Sequence, residues 1–188
     1  VQEDQVKDLR IHIRDLNPAV VEAWNPLATQ DKRDFQFSVG DIFLAGRHDA
    51  IIAAGNSFGI MDGGLDLVYR NHFGMEIQDR TRAAINSKWG GVLPVGAAEV
   101  VATASEVIPL MIYVPTMVRP MVVRETWNAY LAFKAALWAA VMDPRIRTVL
   151  CPGLCTLTGR MHPRVAAQQM LRAWQELGLH NRSSYPWS

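Results

Sequence analysis

Two spacings of apolar residues recur along the chain, and they predict strands that alternate with helices. Short apolar runs bounded by polar residues or glycine are typical of strands. We predict strands at Leu9–Arg14, Phe35–Val39, the apolar run that ends at Ala54, Glu99–Ala102, Ile108–Pro115 and Ile146–Cys151. Apolar residues three and four positions apart predict helices from Pro18 to about Trp24, at Leu65–Phe73, Met75–Lys88 and Arg124–Met142, and from Pro163 to Leu177. This alternation indicates an α/β fold.

The stretch Asp49–Gly74 organises the rest of the prediction. It reads as a buried strand, a loop with four glycines from Gly55 to Gly64, and a helix. The apolar face of that helix is predicted to contain Leu65, Val68, Tyr69, His72 and Phe73, and Gly74 is a natural end. A glycine-rich loop before a helix exposes backbone N–H groups where the helix dipole favours an anion, such as a phosphate.

Two polar residues flank this loop. Asn56 follows the strand, and Asp66 lies in the first turn of the helix. Because open α/β sheets bind ligands outside the carboxyl ends of their strands, we expect both side chains to face one crevice. Each also has an ordinary structural role: Asn56 can satisfy its own turn, and an acid in a first helical turn gains roughly 0.3–1 kcal/mol from the dipole.

A second strand, small-residue loop and helix follow near the end of the chain. The predicted strand at Ile146–Cys151 opens into the loop from 152 to 161, and His162-Pro163 begins the helix. Two such loops are suited to hold a diphosphate from both sides. Neither loop has the Gly-x-Gly-x-x-Gly pattern of a Rossmann dehydrogenase. A nucleophile built from Cys155 and His162 is an alternative, although no third, orienting group is evident.

The helix predicted at Arg124–Met142 carries Trp127, Tyr130 and Trp138. Large aromatic side chains bury much apolar area, so we expect these residues to pack in the core against the sheet. They form no pattern that suggests a cofactor site.

Composition narrows the class of protein. The chain has 188 residues, a formal net charge of +1, 49% hydrophobic and 20% charged residues. We predict a single domain over residues 1–188, with a flexible segment 1–8 and a C-terminal tail 179–188. The near-neutral charge and scattered arginines argue against a membrane surface or a sequence-specific nucleic acid as partner, and no apolar run is long enough to span a membrane.

The two cysteines point to a reducing environment. Cys151 and Cys155 have no second pair and no closely spaced histidine, whereas a zinc site needs more ligands. We therefore expect free thiols, no metal, no cofactor and a cytoplasmic location.

With these motifs in place, the sequence resembles the macro domain family. Asn56-Ser57, the Gly63-Gly64 pair and Asp66 are similar to the family's central signature, and Gly40-Asp41-Ile42 resembles its Gly-Asp-Ile element. Cys151–Met161 resembles its second phosphate loop. The resemblance begins at about Phe35, and the Asn-to-Asp spacing is closest to the MacroD-like branch of ADP-ribosyl hydrolases. It implies a three-layer α/β/α fold with a central mixed, mostly parallel sheet.

The resemblance also implies a ligand, which is ADP-ribose or an ADP-ribosylated protein or metabolite. Asp41 and Ile42 would hold the adenine, and Asn56 would hold a hydroxyl of the distal ribose as donor and acceptor. The remaining ligand-binding residues would come from the two loops, namely Gly63, Gly64, Leu65, Cys155, Thr156, Leu157, Thr158, Gly159 and Arg160.

For activity, the resemblance implies hydrolysis of an ADP-ribosyl ester without a metal, by a monomer. Asp66 would act with Asn56, orienting or deprotonating a water beside the distal ribose. Two alternatives stay open. One is a module that reads ADP-ribose without turnover, and the other is a lapsed site that serves as an interaction surface with Trp89, Tyr185 and Trp187.

Three residues depart from the family pattern. Cys155 and Leu157 stand where related loops commonly have glycine. We expect Leu157 to narrow the phosphate channel or to strain a left-handed turn at a cost of about 1–3 kcal/mol, with the hydroxyls of Thr156 and Thr158 in partial compensation. Asp62 would repel a diphosphate unless it points outward.

Overall fold

The computed structural model describes residues 9–25, 27 and 34–178. The segment 1–8 and the tail 179–188, including Tyr185 and Trp187, lie outside the described residues. The strands are β1 Arg10–Asp15, β2 Phe35–Val39, β3 Ala50–Asn56, β4 Glu99–Ala102, β5 Leu110–Met117 and β6 Thr148–Cys151. The helices are α1 Pro18–Glu22, α2 Gly64–Phe73, α3 Glu76–Trp89, α4 Asn128–Met142 and α5 Pro163–Glu176, with a 3₁₀ turn at Ile42–Leu44.

The six strands form one sheet in the order β2-β1-β6-β3-β5-β4. Neighbouring strands are parallel except β4, which pairs antiparallel with β5. The carboxyl ends of β6, β3 and β5 therefore lie side by side at one edge, where the loops that follow them can meet. The expected mixed, mostly parallel sheet is confirmed.

Alternation along β3 divides the molecule into three layers. Ala50 and Ile52 point into one apolar cluster, which also contains Ala23 and Trp24 after α1 and residues of α4 and α5. Ile51 and Ala53 point to the opposite face, where the cluster includes residues of α2 and α3. Because β3 is buried on both faces, its sequence is a continuous apolar run, as predicted. The three-layer α/β/α arrangement is confirmed.

The expectation that the aromatic residues of α4 pack in the core is wrong for both tryptophans. Trp127 is 55% exposed and Trp138 is 51% exposed. The side of α4 that faces the core consists mainly of alanines, together with Phe133 and Leu137. Small side chains let α4 lie close to β5 and α5, so the large rings are left on the outer face. The helix also begins four residues later than predicted, at Asn128.

Across the described residues, none of the helices has both the length and the apolar character needed to cross a lipid bilayer.

Tyr113 holds the point where β3 leaves the sheet. The pairing of β3 with β5 shifts register between Gly55 and Asn56, which interrupts the backbone ladder. The Tyr113 hydroxyl donates to the Asn56 carbonyl and accepts from the Asn56 N–H, each at 3.0 Å. A Cβ on Gly55 would lie 2.0 Å from that hydroxyl oxygen. Glycine is therefore required beside the ring, and the phenol replaces the missing ladder bonds of Asn56.

We predict that Tyr113→Phe lowers the free energy of unfolding by about 1–3 kcal/mol, because it leaves a buried N–H and a buried C=O unpaired. Urea denaturation followed by circular dichroism measures the loss. Tyr130→Phe is the matched control, since its hydroxyl bonds to Glu176 at the surface and contributes at most about 1 kcal/mol. Equal losses in the two variants would contradict the bridging role of Tyr113.

Candidate functional site

A cleft opens where the carboxyl ends of β3, β5 and β6 meet the first turn of α2. Its volume is about 170 Å³. Its walls are formed by the loop that precedes α2 and the loop that follows β6. This is the edge of the sheet at which the sequence predicted a crevice. The volume is smaller than the roughly 300–1,000 Å³ of most small-molecule sites, so the enclosed part suits a fragment such as a diphosphate with its neighbouring sugar.

Most of the residues predicted for the site line this cleft. They are Asn56, Gly63, Gly64, Leu65, Asp66, Cys155, Leu157, Thr158 and Gly159. The cleft does not include Asp41, Ile42, Thr156 or Arg160.

Asn56 is buried and its side chain shapes its own loop. Oδ1 accepts hydrogen bonds from the N–H groups of Phe58 at 3.0 Å and Ile60 at 3.3 Å, and Nδ2 donates to the Ile60 carbonyl at 2.7 Å. Both acceptor positions of Oδ1 are thus filled, and one Nδ2 hydrogen remains. In this arrangement Asn56 offers one free donor and no free acceptor position, whereas the resemblance implied a donor and an acceptor to a ribose hydroxyl.

Asp66 is buried in the wall of the cleft, 8% exposed. Its Oδ1 is fully buried and has no hydrogen-bond partner among the described residues. Burial, and secondarily the charge of Asp62, raises the pKa of Asp66 to about 8. The carboxyl group is consequently mainly protonated at neutral pH, unlike an ordinary aspartate.

The burial of Asp66 corrects the predicted apolar face of α2. Asp66 and Tyr69 are buried, whereas Val68 is 47% exposed. The Tyr69 hydroxyl donates to the Ile52 carbonyl at 2.8 Å, which fixes the rotation of the helix on β3. This rotation turns Asp66 inward, towards the cleft.

The two loops approach each other at Gly64 and Thr158. Gly64 has a φ of +57°, a left-handed conformation that favours glycine. A Cβ at Gly64 would lie 3.3 Å from the Thr158 hydroxyl oxygen. The hydroxyl of Thr158 therefore faces the start of α2 across the cleft. Thr156, in contrast, donates its hydroxyl hydrogen to the Gly153 carbonyl at 3.3 Å.

In the second loop, Cys155 and Arg160 have the left-handed backbone, with φ values of +64° and +52°. The predicted left-handed strain at Leu157 is wrong, because its φ is not positive. Leu157 lines the cleft and is 68% exposed, so its side chain lies at the rim. A Cβ at Gly159 would lie 2.6 Å from the Cys155 carbonyl oxygen, and the Gly159 carbonyl accepts from Val123 N at 2.8 Å. These contacts hold the loop in its closed shape.

Asp41 lies beside the 3₁₀ turn rather than in the cleft. Its Oδ1 accepts from Phe43 N at 3.0 Å, which caps the turn. Its backbone carbonyl accepts from Arg14 Nε at 2.7 Å. Asp41 thus has the ordinary structural role of an acid that caps its own turn, and its carboxylate remains exposed to solvent.

The alternative of a Cys155–His162 nucleophile is contradicted by the structure. Burial raises the pKa of the Cys155 thiol to about 12, so the reactive thiolate is absent at neutral pH. His162 instead caps α5, with Nδ1 accepting from Arg164 N at 3.3 Å. Over the described ranges, no group of three or more histidine, cysteine or acidic residues could hold a metal ion.

Sequence reasoning missed the wall that β5 contributes. Thr116, Met117 and Pro120 line the cleft at the end of this strand. The order of strands in the sheet would have revealed this wall, because a strand that pairs with β3 must end beside Asn56. That order depends on contacts between distant parts of the chain and has no local motif.

Comparisons with known proteins agree with this architecture. A family model described as a macro-like domain matches residues 4–182. No curated protein matches the chain.

Solved structures similar to the chain include macrodomains. The macrodomain of Mycobacterium tuberculosis DarG has 20% identity and a TM-score of 0.62, over 74% of this chain and 89% of that chain. A mutant Oceanobacillus iheyensis macrodomain with ADPR has 15% identity and a TM-score of 0.61, over 72% and 73%. Thermosipho africanus DarTG in complex with ADP-ribose has 17% identity and a TM-score of 0.59, over 73% and 37%. At these identities the similarity establishes the fold.

We predict that Asp66→Asn stabilises the protein at alkaline pH. The folded-state pKa of about 8 lies above the ordinary value of about 3.9, so the folded state binds the extra proton between these values. The unfolding free energy of the wild type therefore falls as pH rises through this interval, and the uncharged Asn avoids that loss. The advantage of the variant should grow by on the order of a few kcal/mol from pH 4 to pH 8.

Denaturant titrations across this pH range measure the difference. Asp79→Asn provides the control, since it makes the same substitution at an exposed acid of α3. Parallel curves for Asp66→Asn and the wild type would contradict a buried, proton-binding carboxyl group.

Proposed function

This chain belongs to the macro-like domain family, and we propose that its cleft binds ADP-ribose or a molecule that ends in ADP-ribose. The observation that carries the proposal is the meeting of two small-residue loops at the amino terminus of α2, above a buried carboxyl group. This arrangement provides an anion site next to a site for a polar sugar. The similar Oceanobacillus iheyensis macrodomain holds ADPR, and the similar Thermosipho africanus DarTG is in complex with ADP-ribose, which supports the same ligand here.

The diphosphate is assigned to the gap between the two loops. The first turn of α2 offers unpaired backbone N–H groups and the positive end of the helix dipole. Thr158 offers a hydroxyl opposite Gly64. Gly64 has no side chain to fill the gap, and its left-handed backbone brings the start of the helix close to the ligand.

The neutral form of Asp66 makes this placement compatible with an anion. Because Asp66 is mainly protonated at neutral pH, a diphosphate would meet the charge of one carboxylate rather than two, that of Asp62, which lines the cleft and is exposed to solvent. The buried carboxyl group and the remaining Nδ2 hydrogen of Asn56 are assigned to hydroxyl groups of the distal ribose. A hydroxyl bonded to Oδ1 of Asp66 would satisfy an oxygen that is otherwise unpaired.

The adenine is assigned to the 3₁₀ turn outside the enclosed cleft. Asp41 uses Oδ1 to cap the turn, which leaves Oδ2 to accept a hydrogen bond from the adenine amino group. Arg14 and the turn keep the backbone of Asp41 and Ile42 in place. Thr156 and Arg160 complete the proposed ligand-binding set from the second loop.

We further propose that the site hydrolyses an ADP-ribosyl ester. Ionised Asp66 takes a proton from a water molecule, whose oxygen attacks the anomeric carbon of the distal ribose. The bond from that carbon to the ester oxygen breaks, and the carboxylate of the modified group leaves with the bonding electrons. The products are ADP-ribose and a free carboxylate. The diphosphate and ribose contacts contribute by holding the anomeric carbon near the water.

A reader that binds ADP-ribose without turnover is the second candidate. It is favoured by the hydrogen bonds that occupy Asn56 Oδ1 and by the protonation of Asp66 at neutral pH. Binding and turnover are separated by the two predictions below.

We predict that wild-type protein binds ADP-ribose in isothermal titration calorimetry and that Gly64→Ala weakens binding by tenfold or more. The left-handed backbone of Gly64 costs any other residue about 1–3 kcal/mol, and the new methyl group approaches Thr158. A relaxed backbone would move the N–H groups away from the diphosphate. Gly90→Ala is the matched control, because Gly90 has a φ of +63°, open space around its Cβ position and a place at the far end of α3. Unchanged affinity in Gly64→Ala would place the diphosphate elsewhere.

For turnover, we predict release of ADP-ribose from an ester-modified protein at a rate that rises with pH to about 8 and then levels off. Only the ionised form of Asp66 accepts the proton, and its pKa is about 8. Asp66→Asn should abolish release while calorimetry still detects ADP-ribose. Release that persists in this variant would exclude Asp66 as the base, and binding without release in the wild type would establish the reader.

A further inference from the structure

A second cavity lies near the amino-terminal ends of β1 and β6, away from the strand ends that form the cleft. Its volume is about 450 Å³, within the roughly 300–1,000 Å³ of small-molecule sites. Its polar lining includes Arg10, His12, Gln36, Arg47, His48 and Thr148. We call it the basic cavity. We propose that the basic cavity is a binding site for a phosphate-bearing small molecule, with Arg10 and Arg47 as its anion ligands.

The cavity follows from the alternation of β1. Ile11 and Ile13 point into the apolar cluster that contains residues of α4 and α5. Arg10, His12 and Arg14 alternate with them and belong to the opposite face. On that face, α2 packs against β3 and α3 packs against β4. The β1–β2 end of the face therefore presents polar side chains beside the loop from 45 to 48, instead of an apolar surface under a helix.

A directed chain of hydrogen bonds fixes the two histidines. Gly46 offers only a carbonyl oxygen, 3.2 Å from His48 Nδ1, so that nitrogen carries the hydrogen. Neutral His48 then accepts at Nε2 from His12 Nδ1 at 3.2 Å, and neutral His12 accepts at Nε2 from the Ser38 hydroxyl at 2.7 Å.

Two further observations support these proton positions. Arg14 Nη1 donates to Ser38 Oγ at 2.7 Å, which leaves the hydroxyl hydrogen free to point at His12. Burial, more than any neighbouring charge, lowers the pKa of His12 to about 4. His12 thus forms a fixed and uncharged part of the cavity wall, and the positive charge of the cavity comes from its arginines.

The charge balance of the lining favours an anion. Arg10 and Arg47 are exposed, and neither forms an ion pair within 4 Å in the described part of the chain. Asp34 is the one acid among the described lining residues. Asp49 lies behind Thr148 and accepts hydrogen bonds from Arg147 N, Thr148 N and Thr148 Oγ1. Its carboxylate is therefore held at the start of β6. Against the effect of burial, these hydrogen bonds and the charge of Arg47 lower the pKa of Asp49, so Asp49 balances part of the charge of Arg47.

The chemistry of the two arginines selects the ligand class. A guanidinium group binds phosphate oxygens through a planar pair of N–H donors, and two such groups around one cavity suit a phosphate better than a neutral polar molecule. Gln36 and Thr148 add donors that do not depend on charge. The volume exceeds that of a single phosphate, which leaves room for a small organic group attached to it.

The test is a titration with inorganic phosphate at pH 7 and constant ionic strength, followed by the imidazole C–H signals of His12 and His48 in NMR spectra. Both rings lie in the wall of the cavity, so they report on this cavity and not on the distant cleft. We expect a saturable shift of both signals. In Arg10→Gln and Arg47→Gln, the midpoint should rise by on the order of tenfold, because each variant removes charge-assisted hydrogen bonds.

Arg82→Gln is the matched control, since Arg82 is an exposed arginine of α3 that does not line the basic cavity. Its midpoint should equal that of the wild type. The proposal is overturned if the signals do not shift, if they shift linearly without saturation, or if all three arginine variants respond alike. The response is read from histidine rings that lie outside the cleft, so the result does not depend on the function proposed for the cleft.

Discussion

The cleft depends on hydrogen bonds that satisfy the buried backbone N–H and C=O groups at the point where β3 leaves the sheet. At Asn56 the ladder with β5 breaks, and a buried N–H or C=O without a partner costs about 1–3 kcal/mol. Tyr113 supplies the missing donor and acceptor from the neighbouring strand, and Gly55 makes room for its ring. The side chain of Asn56 then ties the following turn together. The strand end, the glycine loop and the start of α2 are thus positioned by one set of hydrogen bonds.

Local sequence was sufficient for the features that depend on local chemistry. The spacing of apolar residues and the positions of glycine and proline predicted the strands and helices, including α1 with its start at Pro18. They also located the two loops, because a strand, small residues and a helix start follow one another directly in the chain. The direction in which side chains point was harder to predict from the sequence. Asp66 is buried and Val68 is exposed because the bond of Tyr69 to Ile52 rotates α2, and no periodicity contains that contact.

The site also shows where a residue's ordinary role and its proposed role coexist. Asp41 caps its own turn with one carboxylate oxygen, which leaves the other for the proposed ligand. The hydroxyl of Thr156, in contrast, donates a hydrogen bond within its own loop. Such divisions depend on individual hydrogen bonds, and residue type alone does not determine them. The same holds for backbone strain: the sequence pointed to Leu157, but the left-handed residues are Cys155 and Arg160. Asp66 illustrates the cost of this arrangement, because a buried carboxyl group at neutral pH opposes folding.

The burial of the two thiols has a consequence for chemical durability. Oxidants attack the thiolate, and they reach it only where solvent does. Cys151 is 0% exposed and Cys155 is 5% exposed, and burial raises the pKa of both thiols. Sulfenic acid formation and mixed disulfides are therefore disfavoured in the second loop. Cys155 can therefore line this cleft without making the site sensitive to oxidants.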